Sequence, residues 1–79
     1  MKKYCVVGGQ YVRYFYGDSD SLHGAKLIAT ANKEYWDNWQ GWHVPRIFNS
    51  GDCNDKGIPV GDVMPVAVCD GGKWVSCEW

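Results

Sequence analysis

The residues of this chain that could do nucleophilic chemistry are its four cysteines and two histidines. Nucleophilic catalysis requires a thiol or hydroxyl within hydrogen-bond reach of a base that is itself held in place. Cys53 and His43 form the best candidate pair, but nothing in the sequence brings them together. His23 stands beside the expected start of a helix, where an ordinary, partly exposed histidine is the simpler interpretation. We therefore predict that the protein is not an enzyme and has no catalytic residues.

The cysteines could instead bind zinc or form disulfides. They are Cys5, Cys53, Cys69 and Cys77, and their spacings contain no C-x-x-C pair of the kind that zinc fingers use. In a secreted chain of this size an even count would suggest two bridges. The apolar run behind Met1 is too short for the core of a signal peptide. We predict thiols that pack as small apolar groups, with no metal site and no cofactor.

Asp52, Asn54 and Asp55 resemble the start of a calcium-binding loop. Such a loop requires oxygen ligands at its first, third and fifth positions and a glutamate at its twelfth. Here Lys56 takes the fifth position and Val63 the twelfth. We predict a solvated turn at this point of the chain.

Length and charge limit the kind of protein that can position these residues. The 79 residues include eight basic and nine acidic side chains, for a formal net charge of −1. This length accommodates one core, so we predict a single domain over residues 1–79. No stretch approaches the roughly 20 apolar residues that a membrane span requires. The near-neutral charge argues against binding nucleic acid through a broad cationic face.

Five strands are expected from short apolar or alternating runs bounded by glycine, proline, asparagine or aspartate. They are Lys3–Val7, Gln10–Tyr16, Trp42–Phe48, Val63–Cys69 and Lys73–Trp79. Pro45 cannot donate a ladder hydrogen bond, which places its strand at an edge or a bulge. The connection from Asn49 to Asp62 is long and polar, and such loops are often functional or mobile.

One helix is expected between the second and third strands. Asp20 or Ser21 is the expected N-cap, and apolar residues then recur at three- and four-residue steps as far as Trp39. Gly41 is expected to end the helix, and Gly24 to mark a close contact with the sheet. The order β-β-α-β-β-β predicts an α+β domain, in which one amphipathic helix packs on an antiparallel sheet of about five strands.

The aromatic content is high for so short a chain, with five Trp, five Tyr and two Phe. A core of this size cannot bury all of them, and exposed Trp, Tyr and Arg residues dominate protein interfaces. We predict a partner-binding surface of exposed aromatics with a basic rim. Its candidate residues are Trp42, Trp79, Lys26, Lys33, Arg46 and Lys73.

Three segments carry a resemblance to a known family. They are Ser21-Leu22-x-x-Ala25-Lys26-x-Ile28-Ala29, Pro65-Val66-Ala67-Val68 and Gly72-Lys73-Trp74-Val75-x-Cys77. Together with the order of elements, they resemble the small phage-encoded anti-CRISPR proteins that inhibit type I systems. The likeness covers about half the chain and is greatest to a type I-F inhibitor, while a type I-C target is the alternative.

The resemblance implies a non-enzymatic inhibitor that acts in the cytoplasm of the infected bacterial host. Such a protein binds subunits of the RNA-guided surveillance complex, Cascade, and keeps target DNA from pairing with the guide by steric occlusion. Lys26 and Lys73 match basic positions of the family member, so the resemblance implies that they contact the partner. We expect a monomer.

Other classes of function stay open at this point. A small nucleic-acid-binding module would use exposed aromatics of the sheet to stack bases. A thiol enzyme or a secreted disulfide domain would use the cysteines instead.

Overall fold

The computed structural model describes residues 2–9, 13–32, 44–70 and 73–76. The strands are β1 (Tyr4–Gly8), β2 (Tyr14–Ser19), β3 (Arg46–Asn49), β4 (Ala67–Asp70) and β5 (Lys73–Ser76). The helix α1 covers Leu22–Ala31, and Ser50–Asp52 form a single 3₁₀ turn. The predicted α+β fold is confirmed, because α1 packs on a five-stranded sheet whose neighbouring strands are all antiparallel.

The position of β3 in the sheet differs from the prediction. The strand order is β2-β1-β3-β4-β5, so β3 is the central strand, and the expected edge or bulge is wrong. The strand begins at Arg46, which leaves Pro45 just outside the ladder, where its missing N–H costs no hydrogen bond. The Pro45 carbonyl still accepts a hydrogen bond from the backbone N–H of Cys69 at 3.2 Å.

The second strand runs further along the chain than the sequence pattern indicated. It ends at Ser19, and its last residues pair with Tyr4 and Cys5 of β1. The register changes because Val6 faces Gly17 whereas Val7 faces Phe15, which makes Tyr16 the extra residue of a β-bulge. The predicted strand ended at Tyr16 because the residues that follow are rich in Gly, Asp and Ser, but pairing with β1 overrides that local preference.

Helix α1 begins as expected and ends earlier than expected. Ser21 is the N-cap, and its Oγ accepts a hydrogen bond from the N–H of Gly24 at 3.0 Å. The helix ends at Ala31, so the prediction of an unbroken helix to Trp39 is wrong at Asn32. The Asn32 side chain donates to the carbonyl of Ile28 at 2.8 Å, and thereby satisfies one of the free carbonyls of the last turn. The expected end at Gly41 lies outside the described residues.

We expect Ser21→Ala to lower the free energy of unfolding by about 1 kcal/mol, because the N–H of Gly24 loses its acceptor. Equilibrium denaturation in urea measures this loss. Ser21→Asp should keep most of the stability, since a carboxylate also caps an N-terminus. Equal destabilisation by both substitutions would contradict this role for Ser21.

The predicted close contact at Gly24 is confirmed. A Cβ atom at this position would overlap Oγ of Ser19, the last residue of β2, and would lie 2.9 Å from Oγ of Ser21. Glycine therefore lets the first turn of α1 approach the end of β2, which outweighs its low helix propensity.

Both faces of the sheet are covered around β1 and β3. On one face Val6, Ile47 and Ala67 pack against Ala25 and Ala29 of α1. On the other face the fully buried residues are Cys5, Val7 and Phe48, and the side chains packed against them are Cys53, Ile58 and Val63. These last three belong to residues 50–63, which we call the cover loop. The arrangement has three layers, where the sequence pattern indicated two.

The cover loop is held by a compact turn. The Asn54 side-chain oxygen accepts hydrogen bonds from the backbone N–H groups of Lys56 at 2.9 Å and Ile58 at 3.1 Å. The N–H of Asn54 also donates to the carbonyl of Ile58 at 2.8 Å, and Cys53 forms an isolated bridge with Pro59. This use of an asparagine oxygen is typical of turns. The predicted turn is present. The side-chain oxygen of Asn54, which a calcium loop would use as a metal ligand, accepts backbone hydrogen bonds here.

Candidate partner-binding surface

The strand register sets five side chains in a row across the face of the sheet that the cover loop occupies. Phe15 pairs with Val7, Val7 with Arg46, Arg46 with Val68, and Val68 with Val75. Directly paired residues point to the same face of a sheet, and Val7 is in the cluster beneath the cover loop. The whole row therefore belongs to that face.

Within this row the cover loop shields Val7 of β1 much more than Val68 of β4 and Val75 of β5. Val7 is fully buried, Val68 is half-buried and Val75 is 47% exposed. Lys73 lies two residues before Val75 on β5, so it shares the face, and it is exposed. We call Arg46, Val68, Lys73 and Val75 the open half of the sheet. With about 4.8 Å between neighbouring strands, the Cα atoms of Arg46 and Val75 lie about 10 Å apart.

The described structure separates the predicted site residues into two groups. Arg46 and Lys73 lie on the open half, on strands with only β4 between them. Lys26 lies on α1, which packs on the opposite face of the sheet. A single flat partner surface would therefore contact either the open half or the helix. Lys33, Trp42 and Trp79 lie outside the described residues.

Sequence reasoning missed the apolar members of the open half. In the sequence, Val68 and Val75 are typical strand residues. The alternation of a strand shows which residues share a face, but it does not show whether that face is covered. The cross-strand pairing with Arg46 is what joins them into one surface.

Arg13, directly before β2, adds a further cation to this face. Its guanidinium carbon lies 5.8 Å from the centre of the Phe48 ring, within the range of a cation–π interaction. Phe15 is 37% exposed, and one edge of its ring lies against the backbone of the cover loop. The two tyrosines of β2, Tyr14 and Tyr16, have ring centres 5.4 Å apart in a tilted arrangement.

Two of the described cysteines, Cys5 and Cys53, have thiols whose pKa is raised above the ordinary value. Burial is the main cause that raises the pKa of the Cys53 thiol from its ordinary 9.0 to about 12, and neighbouring Cys5 and Asp52 raise it further. Burial also raises the pKa of the Cys5 thiol. At neutral pH both are protonated, which is the unreactive form of a thiol. The candidate base His43 lies outside the described residues.

These shifts predict a loss of stability at alkaline pH. Below pH 9 Cys53 is protonated in both the folded and the unfolded chain, so its contribution is fully present. Above pH 9 the unfolded chain releases this proton more readily, and stability is lost as the pH rises towards the folded value of about 12. Urea denaturation at pH 8 and at about pH 10.5 measures the loss.

The matched control for this prediction is Cys53→Ala. Tyrosine and lysine titrations are common to both proteins, so they cancel in the comparison. The variant should lose less stability than the wild type over the same pH interval. An equal alkaline loss in both proteins would show that Cys53 does not contribute.

Within the described ranges, no group of three or more His, Cys, Asp or Glu side chains is placed to hold a metal ion. Cys5 and Cys69 are buried, and Cys53 is partly exposed. No helix of the described residues is both long and apolar enough to cross a membrane.

In the part of the chain that the structure describes, the fold and the surface define a small α+β domain with one helix, a cover loop and an open half-sheet. The open half carries Arg46, Val68, Lys73 and Val75, and Asp70 pairs with Lys73 in the ladder. Comparison with protein-family models, with curated proteins and with solved structures finds no match to this chain.

Proposed function

We propose that this chain is a non-enzymatic inhibitor that binds a type I RNA-guided surveillance complex in the host cytoplasm and prevents it from pairing with target DNA. The observation that carries the proposal is the open half of the sheet, where Arg46 and Lys73 flank the exposed or half-buried Val68 and Val75. The family is suggested by the sequence resemblance described above.

The open half has the composition of a binding surface. Protein interfaces combine an apolar centre with a polar rim, and arginine is enriched among the residues that contribute most to affinity. Val68 and Val75 supply the apolar centre, while Arg46 can pair with a carboxylate or phosphate through two parallel hydrogen bonds. The partner surface should therefore carry carboxylates or the phosphates of the guide.

Inhibition of this kind needs no reaction. A guide-directed complex holds its nucleic acid in a positively charged channel and reads the target by base pairing. A small rigid domain that occupies the route of the target strand blocks pairing by its volume. The three-layer packing supplies that rigidity, because the sheet is covered on both faces near its centre.

The test is co-elution of the purified protein with assembled type I-C and type I-F complexes, followed by a target-DNA binding assay on the complex that co-elutes. We expect Arg46→Ala combined with Lys73→Ala to weaken association by ~10-fold or more. Lys2→Ala is the matched control, since Lys2 is exposed at the start of the chain. Thermal unfolding of each variant verifies that it is folded.

Lys26→Ala distinguishes the two possible surfaces. If the open half binds, this variant should associate like the wild type, because α1 lies on the opposite face. If Lys26→Ala alone abolishes association, the helix surface is the interface. Absence of co-elution with both complexes would overturn the inhibitor function for these two subtypes.

Nucleic acid binding is the second candidate, and the exposed aromatics of β2 favour it. Tyr14 is 49% exposed, Phe15 is partly exposed, and Arg13 precedes them. Such aromatics can stack on bases. Titration of a single-stranded oligonucleotide at low and high salt tests this function. Salt-dependent binding that Phe15→Ala weakens would support it, and absence of binding at low salt would exclude it.

A further inference from the structure

Two of the thiols meet beneath the cover loop. Cys5 lies in the middle of the buried cluster on β1 and is fully buried. Cys53 directly follows the 3₁₀ turn, packs against that cluster and is partly exposed. The Cys53 side chain therefore lies beside Cys5, and its thiol donates to the carbonyl of Asn49 at 3.5 Å.

We propose that Cys5 and Cys53 form a redox site, in which a small-molecule disulfide oxidises the two thiols to a disulfide bond that fastens the cover loop to β1. Neighbouring thiols need a side-chain rotation to reach the bond length of about 2.05 Å. Backbone pairing holds both residues in place, since Cys5 pairs with Phe48 in the sheet and Cys53 bridges to Pro59.

Cys53 is partly exposed and Cys5 is fully buried, so the two thiols act at different steps of the oxidation. The Cys53 thiolate attacks the oxidant, such as oxidised glutathione, which forms a mixed disulfide and releases one glutathione thiolate. The Cys5 thiolate then attacks the Cys53 sulfur and displaces the second glutathione. Two protons and two electrons leave the protein in total, and two molecules of reduced thiol form for each disulfide consumed. A dithiol reductant reverses the reaction.

The bond would change the behaviour of the cover loop. It would close a loop between β1 and residue 53, and cross-links over long stretches of chain stabilise mainly by constraining the unfolded state. It would also keep Ile58 and Val63 in place over Val7 and Phe48. Because both thiols are protonated at neutral pH, the oxidation should be slow and should take hours.

The test is incubation of the full chain with oxidised glutathione, followed by acid quenching, protease digestion and mass spectrometry. We expect two of the four thiols to be lost, a peptide pair linked through Cys5 and Cys53, and a Tm raised by ~10 °C or more. Cys53→Ala should abolish the linked pair and the rise in Tm, while Cys69→Ala should keep both.

Three results would overturn the proposal. They are four thiols that stay free after prolonged oxidation, a linked pair that joins other cysteines, and a mixed disulfide on Cys53 that persists without being resolved by Cys5. Should Cys53→Ala fail to fold, Cys53→Ser gives the same comparison with a smaller change in packing.

Discussion

Gly57→Ala should destabilise the protein by about 2 to 4 kcal/mol, which is a large part of the stability of so small a domain. Two independent causes act at this position. The backbone of Gly57 has a φ of +79°, in the left-handed region that costs an L-residue about 1 to 2 kcal/mol. A Cβ here would also overlap the ring of Phe15, whose Cδ1 and Cζ atoms would lie 2.5 Å and 3.1 Å away.

The other glycines of the cover loop separate these two causes. Gly61 has a φ of +75°, and no atom lies within 4 Å of the place that a Cβ would take, so Gly61→Ala should show the backbone cost alone. Gly51 has neither feature, and Gly51→Ala should change stability by less than about 0.5 kcal/mol. Thermal and urea unfolding of the three variants should give the order Gly57, Gly61, Gly51 from most to least destabilised.

A double variant tests the contact with Phe15 directly. Phe15→Ala removes the ring, so adding Gly57→Ala to it should cost less than Gly57→Ala costs in the wild type. If Gly57→Ala destabilises no more than Gly61→Ala, the Phe15 ring does not rest on the cover loop.

Phe48→Ala should lower the free energy of unfolding by about 3 to 5 kcal/mol, the cost of removing a buried aromatic ring and leaving a cavity. Phe48 is 1% exposed and is the largest fully buried side chain of the described residues. It lies between Cys5 and Val7 on the sheet and the apolar side chains of the cover loop. Its loss also removes the ring on which the Arg13 guanidinium rests.

Urea denaturation followed by tryptophan fluorescence measures this loss. Leu27→Ala is the matched control, because Leu27 is a large apolar residue that is 55% exposed on α1, and its truncation should change stability by less than about 0.5 kcal/mol. Phe48→Leu should recover part of the loss and gives a folded variant if Phe48→Ala does not fold. Similar small effects of Phe48→Ala and Leu27→Ala would contradict the buried position of Phe48.

The two-sided core explains why the predicted long loop has a structural role. Its length and its polar residues suggested a functional or mobile segment, yet Ile58 within it and Val63 directly after it cover one face of β1 and β3. The polar residues of the loop stabilise its backbone. Asn54 closes the turn that lets these apolar side chains point to the sheet. A loop can therefore be polar in composition and still form a layer of the core.

The amino-acid sequence by itself determined the kinds and the order of the elements. The alternation of strands and the three- and four-residue steps of the helix are local patterns, which depend on neighbours a few residues away. For the same reason Ser21 was identified as a possible N-cap and Gly24 as a close contact, since both depend on the first turn of α1.

The tertiary structure alone decided which surfaces are covered and which residues meet. The central place of β3, the pairing of Arg46 with Val68, and the contact between Cys5 and Cys53 all join residues more than 20 positions apart. No local period encodes such pairs, because the free energy that selects them comes from burying apolar area across the whole sheet. That is why Lys26 and Lys73 lie on opposite faces, although each looked equally suited to a partner in the sequence.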